Sequence, residues 1–407
     1  MNQATDTHSR GIGNYGPAWI VSAVACGPAT LTSLAIAGGA FGYQLFWVVI
    51  ASALFAFVAQ FLGAKAGIIG GQGIIATVRQ VWGRRLAWIL AINALAVTWL
   101  AAIALMNALV GVSGMITGLH TRWWAVLWAV LLFVLVGLGG YRLLETVSKA
   151  LVAAMVGCFL VTVLVARPDL SQMVGGMVPR LAGGRSVALT AAGITGGAVH
   201  ITIIAMHSYT VNARGWGTAE LEVARRDTFG SMVIAFGLYS IGIFLAAAAV
   251  LHPAGIRIGN IFELSATLRP LLGRYAAAVF SAGLFGAVIS TIGPTVLAGG
   301  YFLADAARWP LDTGDRRFRL AVAAGCLVSA AGAFLGGNIA VTLMVMLALG
   351  LCGTPFILVL LMVLLNKRSW AGSHRNRTAL NVAGGAVIVL TCVLALRFVL
   401  THSGVAG

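Results

Sequence analysis

The stretch VACGPATLTSLAIAGGAFGY, Val24 to Tyr43, sets a Gly27-Pro28 pair in the middle of the first long apolar run of the chain. Hydroxyls follow at Thr30, Thr32 and Ser33. Proline removes a backbone donor and collides with the carbonyl one turn back, so a helix through this stretch is expected to break. A break in hydrocarbon frees N–H and C=O groups that lipid cannot satisfy. It is tolerable only around a buried ligand or a wet cavity.

Composition says that lipid is the surrounding medium. Of 407 residues, 60% are hydrophobic and 9% charged, and mean hydropathy is +0.98. Soluble domains carry about 25% charged residues. Apolar runs of roughly span length fall at 17–38, 44–68, 86–113, 123–141, 147–166, 186–211, 228–250, 275–304, 318–337, 339–366 and 379–400. The expectation is an all-α polytopic protein with eleven transmembrane helices. Residues 1–16 read as a cytoplasmic tail, 17–366 as a ten-helix transporter core, and 367–407 as a cytoplasmic loop, an eleventh helix and a short external tail. The first run reads as a retained span, since too few apolar residues precede SAVACG for a signal peptide.

The net charge of +16 fits this organisation better than it fits nucleic-acid binding. If sides alternate from a cytoplasmic N-terminus, eighteen of the 26 Lys and Arg residues fall inside and eight outside. That bias follows the positive-inside rule and points to a bacterial inner (plasma) membrane protein. All five cysteines lie in apolar segments and no CxxC occurs, which argues against a disulfide framework or a zinc site.

A second interruption lies five spans after the first. The sixth run reads LTAAGITGGAVHITIIAMHSYTVNARGW, Leu189 to Trp216, with Gly193, Gly196, Gly197, His200, Thr202, His207 and Ser208. Breaks in the opening helix of two successive five-helix units are the pattern of an inverted-repeat transporter, whose substrate binds at the breaks. The expected substrate-binding residues are therefore Gly27, Pro28, Ala29 and Thr30 from the first break, and Gly197, His200, Ile201 and Thr202 from the second. His207, further along the sixth span, is the candidate for proton coupling. Gln60, Asn93, Thr98 and Asn107 read as interhelical hydrogen-bond partners, and RQVWGRR after the second run as a solvated loop with a short helix.

At these residues the sequence resembles the NRAMP family of transporters. GPATLTSLAIAGGAFGY is similar to the family's first-helix Asp-Pro-Gly-Asn and Leu-Thr-Ser pattern, and HITIIAMHS, His200 to Ser208, to its Met-Pro-His-Asn and His-Ser pattern. GLFGAVISTIGPTVLAGGYFLADA resembles its eighth helix. The resemblance runs from about Ala18 to about Leu365. It implies a leucine-transporter-type 5+5 inverted repeat with helices 1 and 6 broken, and proton-coupled secondary transport by a monomer. It also exposes departures. The family's metal-binding Asp falls on Gly27, its Asn on Thr30 and its Met on His200. The Pro, His and Asn after that Met fall on Ile201, Thr202 and Ile203, and the tenth-helix Gln falls on Gly353. Only Pro28 and His207 persist.

The residues themselves point away from a metal. None of the ten carboxylates falls in the middle of a span, and a divalent cation at the midplane without an anionic ligand is costly. Half-helix N-termini favour an anion. The reading is therefore proton-coupled transport of a small organic solute, a carboxylate, with no metal ligands and no cofactor. Divalent metal transport through an atypical site is the alternative. No HExxH or GxSxG motif suggests an enzyme, and no repeated filter suggests a channel.

Overall fold

The computed structural model describes residues 16–137, 142–180, 184–256, 258, 261–334 and 338–402. Residues 1–15, residues 335–337 between the ninth and tenth runs, and residues 403–407 lie outside the described residues. Every regular element among those described is helical. Among the described residues, eight helices are long and apolar enough to cross a membrane, and a bent pair makes a ninth. Two shorter apolar helices, Trp123–Gly137 and Ala153–Ala166, fall where the fourth and fifth spans are expected. The elements thus line up with all eleven expected spans.

Span one is two half-helices, Pro17–Ala25 and Pro28–Phe41, bent by 51°. The cause is local. Cys26 closes the first half, its N–H bonding to Ser22 O at 2.8 Å. Gly27 is extended at φ −74° and ψ 175°, and Pro28 opens the second half at the position where a missing N–H costs nothing. Span six breaks as well. Its first half, Arg185–Ala198, ends at Val199 (φ −136°, ψ 71°), and its second, Ile201–Ala213, starts from an extended His200 (φ −120°, ψ 155°). This second break bends less than the first, and the two halves together form one span, Arg185–Ala213.

Span two (Phe46–Gly70) lies along the second half of span six. Gly63 and Gly67, one turn apart, meet the backbone of Ile204 and Ser208. A methyl at either position would collide with that backbone, so the pair sets how closely the two helices approach. Span three (Arg84–Thr117), span eight (Ala276–Ala307) and span ten (Ile339–Asn366) complete the wall around the two breaks. Span eleven (Thr378–His402) packs outside them and is largely exposed to lipid.

The short helix expected at RQVWGRR is Ile74–Trp82, which takes in Arg79 to Trp82 and begins before them with Ile74, Ile75, Thr77 and Val78 buried; none of Arg79 to Arg85 is buried. The helix is held to the C-terminal end of span eight. Ala76 N–H donates to Asp305 Oδ2 at 3.1 Å, Arg79 pairs with Asp305 Oδ1 at 3.1 Å, and Tyr209 O–H donates to Asp305 Oδ2 at 2.8 Å.

Candidate functional site

The two breaks face each other across a cavity of about 20 Å³, room for one water-sized guest. Gly27, Pro28, Ala29 and Thr30 line it from span one, Gly197, His200 and Thr202 from span six. Seven of the eight expected binding residues therefore meet at one place. Ile201 does not; it is fully buried beside the cavity and packs into the core. Its side chain is apolar and starts a half-helix, so it turns to the hydrophobic side while its neighbours flank the gap.

Seven residues not expected from sequence also line it: four apolar ones, Val24, Ala101, Leu105 and Leu347, and three that carry a donor atom. Thr291 and Thr295 come from span eight and Met346 from span ten. The threonines sit one turn apart in STIGPT, around Pro294, so their shared face was a usable signal. Span ten contributes Met346 rather than Gly353, because Gly353 packs against Asn93.

Most polar groups at the site are already engaged. Thr98 Oγ1 lies 3.0 Å from Thr202 Oγ1 and donates to Ala94 O at 2.6 Å. Thr291 and Thr295 donate back along their own helix at 2.7 Å each. The loosened backbone is partly covered too: Tyr239 O–H donates to Gly27 O at 3.2 Å, and Thr354 O–H to Val199 O at 2.9 Å. Thr30 and His200 are different. Both are buried, at 2% and 7% exposure, both line the cavity, and neither side chain bonds to another described residue. These are the groups left for a guest.

Helix ends of both signs surround the gap. The half-helices beginning at Pro28 and Ile201 turn their first N–H groups toward it, while those ending at Ala25 and Ala198 turn their last carbonyls toward it. The expectation of an anionic solute rested on the N-termini, whereas the carbonyl ends favour a cation. No carboxylate lines the cavity, and no group of three His, Cys, Asp or Glu among the described residues is placed to hold a metal ion.

His207 lies two turns beyond the break and is fully enclosed, 1% exposed. Its Nδ1 has no partner, and neither amide atom of nearby Gln60 has one. Gln60 is therefore not the interhelical glue expected from sequence. Asn93 Oδ1 and Asn107 Nδ2 are likewise unpartnered; of the four residues read as glue, only Thr98 forms such a bond.

Comparison with known proteins bears on this arrangement. The chain is 30% identical over 389 residues to the divalent metal cation transporter MntH of Deinococcus radiodurans, covering 93% of this chain and 87% of that one. It superposes on a crystal structure of a mutant Eremococcus coleocola manganese transporter with TM-score 0.76 and 18% identity, covering 94% of this chain and 85% of that one. Mhp1, a nucleobase-cation-symport-1 family transporter in a closed conformation with bromovinylhydantoin bound, gives TM-score 0.61 at 15% identity, covering 97% of this chain and 94% of that one. The fold is thus the leucine-transporter type that the two breaks imply. The family model described as natural resistance-associated macrophage protein-like matches residues 18–401, and the chain belongs to that family of membrane transporters.

Proposed function

We propose that the chain carries a metal cation through the cavity between its two broken spans, driven by protons, and that the cation is held by neutral donors. The size of the cavity is the observation behind this reading. Room for one water-sized guest suits a desolvated ion; a carboxylate-bearing solute does not fit without an opening of the walls. The MntH relative, a divalent metal cation transporter, supports the same reading. The carboxylate solute favoured on sequence alone moves to second place.

The donors set the kind of metal. His200 imidazole, Thr30 hydroxyl, Met346 thioether and the carbonyls at the ends of two half-helices surround the gap. Hard ions want carboxylate oxygen, whereas imidazole and thioether suit softer ones. Zn²⁺ or Cu⁺ is expected ahead of Mn²⁺. Buried and without a partner at Nδ1, His207 is the proposed proton carrier.

The second reading keeps one observation: N–H groups at the starts of two half-helices face a gap without a carboxylate, which favours an anion. Uptake by purified protein in proteoliposomes separates the two. Zn²⁺ or Cu⁺ entry, accelerated by an inward proton gradient and absent with protein-free vesicles, is the expected result. Uptake of acetate or pyruvate, with no metal entering under any gradient, would overturn the metal reading and leave the anion one standing.

A further inference from the structure

Away from the cavity, a groove of about 590 Å³ opens between span two, the helix Leu221–Phe229, the turn 372–377 and the start of span eleven. Its floor is apolar: Phe57, Phe61, Leu380 and Ala383. Phe57 stacks on Phe61 with 6.2 Å between ring centroids and meets Phe229 edge-on at 5.6 Å. Its rim is basic, with Lys65, Arg225, Arg375 and Arg377, and His374 beside them. Glu222 is the single acid at the rim, and it is taken by Arg225 at 2.7 Å and Arg226 at 3.2 Å.

Lys65 is the telling residue. It is 7% exposed, and its one hydrogen-bond partner is neutral, Asn376 Oδ1 at 2.9 Å. Among the described residues no carboxylate pairs with Lys65, Arg375 or Arg377. An ammonium has three donors, and a buried cation without a counter-ion is costly. An anion in the groove would supply the missing charge.

We propose that this groove binds an anionic diacyl phospholipid, its phosphate on the Lys65, Arg375 and Arg377 rim and its acyl chains along the aromatic floor. A soluble anion would leave that floor exposed, and a zwitterionic lipid would leave the rim charge unmatched. Basic pockets between membrane helices at the headgroup level are suited to anionic lipid heads. Occupancy would also brace span two, which packs through Gly63 and Gly67 on the half-helix leaving the cavity.

Thermal unfolding of the detergent-purified full chain, titrated with phosphatidylglycerol, phosphatidylcholine or sodium phosphate, tests this. Phosphatidylglycerol should raise the midpoint at concentrations roughly tenfold below those at which phosphatidylcholine acts, a difference of about 1.4 kcal/mol. The paired substitution R375Q/R377Q should weaken that response about as much, while R316Q/R317Q, at the start of the helix Arg316–Ser329, should not. Ala379→Glu, an exposed rim position, gives a second variant that adds repulsion without removing a contact. Equal shifts with phosphatidylcholine, an equal shift with sodium phosphate alone, or an undiminished phosphatidylglycerol response in both groove variants would overturn the proposal.

Discussion

Thr30 holds a hydroxyl that no described group accepts, whereas Thr32 and Ser33 close theirs on the carbonyls of Pro28 and Ala29 at 2.7 and 3.0 Å. That contrast singles it out for the cargo. Thr30→Val keeps the shape and removes the donor, so thermal stability should stay close to wild type. Uptake at low cargo should fall about tenfold, on the order of one hydrogen bond; an unchanged rate in proteoliposomes would remove Thr30 from the site. Gly197 is tested from the other side. A methyl there runs into Thr30, so Gly197→Ala should cost ~1–3 kcal/mol in thermal or chemical unfolding and reduce uptake further. For His207→Ala the expected signature is a lost pH dependence of uptake with cargo binding retained, read by calorimetry beside transport at two external pH values. The cavity residues of spans one and six were legible because breakers and hydroxyls are rare in apolar runs. Met346 was not, because a methionine in LMVMLALG reads as core. Only the break in a distant helix makes it a lining residue.

Helices, by contrast, were legible almost throughout, since a span of twenty apolar residues needs no partner to be recognised. The exception is how Ile74–Trp82 docks: a short helix was expected there, its buried face was not. Its apolar face is only two turns long, and the acid that fixes it, Asp305, is 229 residues away from Ala76. No local pattern carries that information. The helix packs against the C-terminal end of span eight, with Asp305 bonded by Arg79, Tyr209 and the Ala76 N–H. Arg79→Gln would leave the Asp305 carboxylate, 4% exposed, without its cation. Breaking a fully buried pair costs ~3–5 kcal/mol; with Arg79 19% exposed, a loss of ~1–3 kcal/mol is expected. The same change should free the helix. A cysteine at Ile75, now fully buried, should label with a polar maleimide faster in the Arg79→Gln background. Equal labelling in both backgrounds would mean that the ion pair does not hold this end shut.

At the scale of the whole molecule, contacts between distant loops sort the chain into two ends. Lys65 meets Asn376, and Arg79 meets Asp305, so the connections after spans two, eight and ten share one end. Tyr43 O–H accepts from the Asp169 N–H at 3.2 Å, Trp47 N–H donates to Gly176 O at 2.9 Å, and His252 lies 3.1 Å from Gly39 O. The connections after spans one, five and seven therefore share the other. This is the alternation that eleven spans require, and it was reached from charge counting before any contact was known. Geometry alone does not say which end faces the cytoplasm; the loop charges predict it. The end that holds Lys65, Arg79, Arg308 and Lys367 belongs to the side carrying eighteen of 26 basic residues, and short basic loops resist translocation. A reporter fused after Arg375 should therefore be fluorescent as green fluorescent protein and inactive as alkaline phosphatase. One fused after the last residue should show the reverse, because span eleven intervenes. The same reporter behaviour at both points would mean that Thr378–His402 does not cross the membrane, and exchanged behaviour would mean that the molecule inserts with its basic end outward.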